Sequence, residues 1–84
     1  MGKLLVIRKR DAEQLKLAES VEGASILLLQ DGVYLAAGRI EAKVYASATD
    51  ATKRGAKLHE AVKLVNYSEI VGLILEQGNT VVNL

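Results

Sequence analysis

Ile26-Leu27-Leu28-Leu29 is an unbroken apolar run, and Leu4-Leu5-Val6-Ile7 is another. A strand with one wet face alternates apolar and polar residues, whereas a strand covered on both faces has no need to. The two runs therefore predict central strands of a parallel sheet with helices on both sides. Working outward, Val44-Tyr45-Ala46, Val62-Lys63-Leu64-Val65 and Val81-Val82 continue the series at spacings of roughly 20 residues. That spacing suits βαβ units. Val81-Val82 is short and terminal, so it is expected at a sheet edge.

The intervening segments read as helices. Asp11 to Val21 carries Ala12, Leu15 and Ala18 on one stripe, with Asp as a good cap and Gly23 as its stop. A short second helix, Val33 to Ala37, is expected to be capped by Asp31 and closed by Gly38. A third runs from Asp50 to Arg54 and is closed by Gly55. A fourth runs from Ser68, its candidate cap, to Gln77 and stops at Gly78. The order β-α-β-α-β-α-β-α-β predicts an α/β fold with a mainly parallel five-stranded sheet and right-handed crossovers, a three-layer α/β/α sandwich. With 84 residues and no linker, repeat or low-complexity stretch, residues 1–84 read as one domain.

Composition narrows the chemistry. Eleven Lys and Arg against ten Asp and Glu give a net charge of +1. That balance argues against a strongly basic nucleic-acid module, and direct nucleic-acid binding is not expected. The chain has no Cys. It therefore has no disulfide framework, iron–sulfur cluster or persulfide chemistry of its own. One His excludes the common multi-His metal sites, so neither a metal nor a cofactor is expected. The apolar start is too short for a signal segment or a membrane span, and a cytoplasmic protein is the expectation.

Parallel sheets gather ligands at the carboxyl ends of their strands. Those ends carry Arg8, Lys9 and Arg10, then Gln30 and Asp31, then Ser47 and Thr49, then Asn66 and Tyr67. The rim holds no nucleophile–base pair, because the single His, His59, lies in the loop before the fourth strand. A catalytic role is not expected. Arg8, Lys9, Arg10 and Arg54 are the candidate anion contacts, with a solvated basic surface as the plain alternative.

The run Val33-Tyr34-Leu35-Ala36-Ala37 shows no polar face, and Ile70, Val71, Leu73, Ile74 and Leu75 cover much of the last helix. A helix apolar all round is normally buried all round. A chain of this size hides only about 60–65% of its unfolded surface. A subunit interface through Gln30, Asp31, Gly32, Val33, Tyr34 and Leu35 is the expectation, and a wide core-facing stripe is the alternative.

Three blocks carry a resemblance to a known family. They are Leu27-Leu28-Leu29-Gln30-Asp31-Gly32-Val33 after Glu22-Gly23-Ala24-Ser25, then Lys43-Val44-Tyr45-Ala46 with Asp50 and Arg54-Gly55, then Asn66-Tyr67-Ser68-Glu69-Ile70-Val71 with Leu73. In this order they resemble the DsrH/TusB branch of the DsrE/F/H sulfur-relay family. The resemblance implies a DsrEFH-like fold. It also implies work in sulfur transfer, towards tRNA wobble 2-thiouridine or in intracellular sulfur oxidation. Its implied partners are a second copy, in a homodimer, or Cys-bearing DsrE/DsrF-like paralogues, in a hetero-oligomer. Some relatives carry a sulfur-accepting Cys in the first helix, where this chain has Leu15, Lys16 and Leu17. Only a thiolate serves as nucleophile and carrier there, so the implied role is a non-catalytic subunit or scaffold. The rival reading is a free-standing small homodimer that binds an anion or nucleotide at the strand carboxyl ends.

Overall fold

Five parallel strands lie in the order β4-β3-β2-β1-β5 in the computed structural model, which describes residues 2–75 and 80–84. They are β1 (Lys3–Ile7), β2 (Ala24–Leu28), β3 (Lys43–Ser47), β4 (Lys63–Val65) and β5 (Thr80–Asn83). All four pairings are parallel, with Leu5 beside Ile26 and Val82, Ile26 beside Val44, and Tyr45 beside Lys63. The apolar runs behave as their composition requires. Leu4 through Ile7 are at most 3% exposed, and Ile26, Leu27 and Leu28 are fully buried. Leu29 falls one residue beyond β2 and is half-buried. Val81 and Val82 belong to an edge strand, as expected.

Alternating side chains split the core into two halves. One face of the sheet carries Leu5, Ile7, Ile26, Leu28, Val44 and Ala46. Ala18 of α1 (Ala12–Glu19), Val33 and Ala36 of a 3₁₀ helix (Gln30–Ala37) and Ala51 of α2 (Ala48–Arg54) pack on it. The other face carries Leu4, Val6, Leu27, Tyr45 and Val65, under Leu73 of α3 (Tyr67–Leu75). Among the described residues no helix is long and apolar enough to cross a membrane.

The elements begin differently from their sequence reading in three places. The second helix is a 3₁₀ helix that starts at Gln30 with no side-chain cap, so Asp31 does not cap it. In a 3₁₀ helix positions i and i+3 eclipse, and the fully buried residues Val33 and Ala36 stand three apart. Its inward stripe is therefore narrow, and Tyr34 and Leu35 are left half-buried. The third helix starts at Ala48, not Asp50, because the Ser47 hydroxyl accepts the Asp50 N–H at 3.3 Å and caps it. The fourth starts at Tyr67. Its cap is Asn66 rather than Ser68, since Asn66 Oδ1 accepts the Glu69 N–H at 2.8 Å while Glu69 Oε1 accepts the Asn66 N–H at 3.0 Å. This reciprocal pair is a capping box. The Asp11 cap and the Gly55 stop stand as expected. Asp11 Oδ1 accepts from Glu13 N, and Gly55 closes α2 at φ 59°, which favours Gly. Gln77 and Gly78 lie outside the described residues.

Candidate functional site at the strand carboxyl ends

The path from β2 into the 3₁₀ helix shapes this end of the sheet. Leu29 N–H donates to Ile7 O at 3.0 Å, carrying the chain across the end of β1. Gln30 then turns with φ 50°, and its N–H donates to Asp50 Oδ2 at 2.9 Å. Two residues on, a Cβ on Gly32 would stand 2.2 Å from Ile7 O, inside any tolerable contact. Only Gly lets the two backbones come this close.

Arg54 braces the crossing. Its Nε donates to Asp31 Oδ1 at 2.9 Å and its Nη1 to Asp50 Oδ1 at 3.3 Å. The hydrogen bond that Arg54 donates to Asp31 raises the Arg54 pKa above its ordinary value. A raised cation keeps its charge below the unfolded pKa and loses its contribution only as pH climbs through the folded one. The brace is therefore constant through neutral pH. A guanidinium shared by two carboxylates is a structural link between the 3₁₀ helix and α2, and it offers little to an external anion.

The other expected contacts do not converge on it. Arg8 turns toward β5 and donates through Nη1 to Asn83 Oδ1. Arg10 lies over the Tyr34 ring, 5.1 Å from its centroid, a cation–π arrangement. Lys9 is exposed, and its carbonyl accepts the Asp11 N–H. Of the six expected interface residues, Gly32 and Val33 are buried inside the chain, Gln30 and Asp31 are exposed, and Tyr34 and Leu35 are half-buried.

Between β3 and α3 the same end holds a cleft of about 300 Å³ lined by Leu29, Ser47, Thr49, Asp50, Tyr67 and Ile70. The carboxylate beside its hydroxyls, Asp50, is engaged by the Gln30 N–H and by Arg54. His59 stands apart, donating its backbone N–H to Ala36 O and accepting the Ala61 N–H on Nδ1. Among the described residues no group of three or more His, Cys, Asp or Glu is placed to hold a metal ion. What the geometry supports at this end is a rigid, shaped rim. Sequence reasoning missed the Asn66–Glu69 box, whose Asn-x-x-Glu spacing was a readable signal. It also missed a basic groove on the α3 face, which becomes visible only once β3 and β4 are set in register.

A family model described as DsrH like protein matches residues 9–80. No curated protein matches the chain. The solution NMR structure of protein Tm0979 from Thermotoga maritima superimposes with a TM-score of 0.67 at 32% identity, over 92% of this chain and 94% of that one. The Leu27–Val33 block that carries the resemblance is also the stretch that crosses the end of β1 and forms the brace, and on these grounds the chain belongs to the DsrH-like family.

Proposed function

We propose that this chain is a Cys-free subunit of a sulfur-relay assembly, which holds a Cys-bearing paralogue in place and takes no sulfur itself. The observation that carries the reading is a DsrH-like chain with no Cys among its 84 residues. Persulfide transfer needs a thiolate to attack and to carry the sulfur, and no other side chain here can substitute. The rim supports a scaffolding role, because Gly32, the Asp31–Arg54–Asp50 brace and the Gln30–Asp50 bond fix the backbone that presents Tyr34 and Leu35.

Incubation with a cysteine desulfurase and Cys should leave the intact mass unchanged, while a Cys-bearing DsrE/DsrF-like paralogue in the same tube gains sulfur. A stable sulfur adduct on this chain would overturn the chemistry. The chain should co-purify with such a paralogue from its native cell, or form a homodimer when expressed alone. The Leu35→Asp substitution puts a charge into a dry contact, and light scattering at micromolar concentration should show the assembly lost. An assembly of unchanged size would remove Leu35 from the interface. The rival reading, anion binding at the carboxyl ends by a free-standing homodimer, has less to draw on, since Arg54 is neutralised and Arg8 and Arg10 are already engaged.

A further inference from the structure

Lys43 opens β3 and Lys63 opens β4. Lys63 stands beside Tyr45 in the parallel register. Side chains alternate along a strand, so Lys43, Tyr45, Lys63 and Val65 share one face. That face is the one α3 covers, because Tyr45 and Val65 pack with Leu73. Diagonal neighbours on adjacent strands lie about 7–8 Å apart at the backbone, within reach of two long side chains converging on one group.

The α3 helix does not close over this strip. A groove of about 470 Å³ remains, lined in part by Lys43, Tyr45, Lys63, Ser68, Glu69 and Gly72. Gly72 contributes no side chain where the helix passes over the strands, which leaves the space open. The Lys43 ammonium lies 5.7 Å from the Tyr45 ring centroid, drawn along the groove wall. Neither Lys43 nor Lys63 forms an ion pair among the described residues. Among the described residues the single carboxylate in the lining, Glu69, is turned to its capping role with Asn66. The groove is therefore net cationic, with an aromatic wall, a hydroxyl donor and more room than a bare anion fills.

We propose that this groove binds a small phosphomonoester. The dianionic phosphate sits between the Lys43 and Lys63 ammonium groups with the Ser68 hydroxyl as a further donor, and the esterified group occupies the rest of the groove. A monoester brings a charge of about −1.5 to −2 at neutral pH. That matches two ammonium groups better than a single carboxylate or a phosphodiester does. The site is on the α3 face and does not depend on the relay reading.

Titration of the labelled protein with adenosine 5′-monophosphate, followed by amide chemical shifts at fixed ionic strength, tests it. Saturable shifts are expected at Lys43, Tyr45, Lys63 and Ser68. Lys43→Gln and Lys63→Gln should each weaken binding at least tenfold. Lys43→Arg and Lys63→Arg should stay within about threefold of the parent, because they keep the charge. Cyclic adenosine 3′,5′-monophosphate, a singly charged diester, should bind at least tenfold more weakly. Shifts that never saturate, or that spread equally over Arg8, Lys9, Lys53 and Lys57, would overturn the proposal. So would equal affinity in the Lys→Gln variants or for the cyclic diester. Preserved amide dispersion in each variant separates loss of the site from loss of the fold.

Discussion

The two faces of the sheet are covered unequally. On one, α1, the 3₁₀ helix and α2 pack against Leu5, Ile7, Ile26, Leu28, Val44 and Ala46. On the other, α3 alone supplies a buried helical residue, Leu73, and leaves Tyr67 79% and Leu75 73% exposed. Yet the central strand does not register the difference, since Leu27 and Leu28 are both fully buried while pointing to opposite faces. The asymmetry lies at the periphery. The first face is tied by backbone contacts and a braced crossing and leaves a groove of about 200 Å³ beside α1, and the second leaves a larger one of about 470 Å³ beside β4. The first face therefore carries more of the helical packing, and the second leaves more surface exposed.

The largest effect should come from the first face. Gly32→Ala would drive a Cβ to 2.2 Å from Ile7 O. The clash is with backbone, so no side chain can swing away to relieve it. Overpacking of this kind costs roughly 1–3 kcal/mol when side chains can adjust and more when they cannot. In a domain with a total stability of about 5–15 kcal/mol, Gly32→Ala should leave little folded protein, seen as loss of amide dispersion. A variant with an unchanged urea midpoint would show that the crossing gives way cheaply.

Next comes a direct contrast between the faces. Leu28→Ala and Leu27→Ala remove equal volume from fully buried sites. Such changes cost about 2–5 kcal/mol, depending on how far the surroundings collapse into the cavity. Leu28 lies on the face packed by α1, the 3₁₀ helix and α2, the last two tied by Arg54, and Leu27 lies on the face where α3 supplies the buried helical residue. Urea unfolding should therefore show the larger loss for Leu28→Ala. Equal losses would mean that α3 is held as firmly as the opposite layer.

Much of this was legible in the sequence. Unbroken apolar runs identify strands covered twice, because burial on both faces leaves no position for a polar residue. Asp11 and Gly55 mark helix ends through local chemistry alone. The carboxyl-end rim was less legible. Asp31 and Arg54 are 23 residues apart, and nothing local to either says that they meet. Asp31 therefore read as a cap, and Arg54 as a free cation. Gly32 read as an interface residue, because its constraint comes from Ile7 on a neighbouring strand. Lys43 and Lys63 become a pair only through the β3–β4 register, which period-two patterning does not specify across the connection of residues 48–62.

A smaller effect is expected at the start of α3. Asn66→Ala removes the acceptor for Glu69 N–H and leaves only the other half of the box, the backbone N–H of residue 66 on Glu69 Oε1. Losing an N-cap costs about 0.5–2 kcal/mol. Because α3 is the principal cover of its face, hydrogen exchange should quicken along Ile70–Leu73 before it quickens in β1 or β2. Uniform quickening across the sheet would show that the two faces unfold as one unit.

The smallest effect, and the one that bears most on the comparison, belongs to Leu75. At 73% exposed it has little apolar surface to lose on truncation. Surface substitutions away from caps and cores usually fall within about 0.5 kcal/mol, so Leu75→Ala should shift the urea midpoint barely at all at low micromolar concentration. If the α3 face is covered by a second copy in solution, Leu75 is buried in the assembly, and its truncation then forfeits part of the roughly 1.5–3 kcal/mol that such a side chain contributes when fully buried. The two cases separate by dilution. Stability of a covered face rises with protein concentration through mass action, and the Leu75→Ala penalty rises with it. An open face gives the same small penalty at every concentration. A penalty that grows between one and several hundred micromolar would therefore break the contrast between a closed and an open face, because the open one would prove to be closed by self-association.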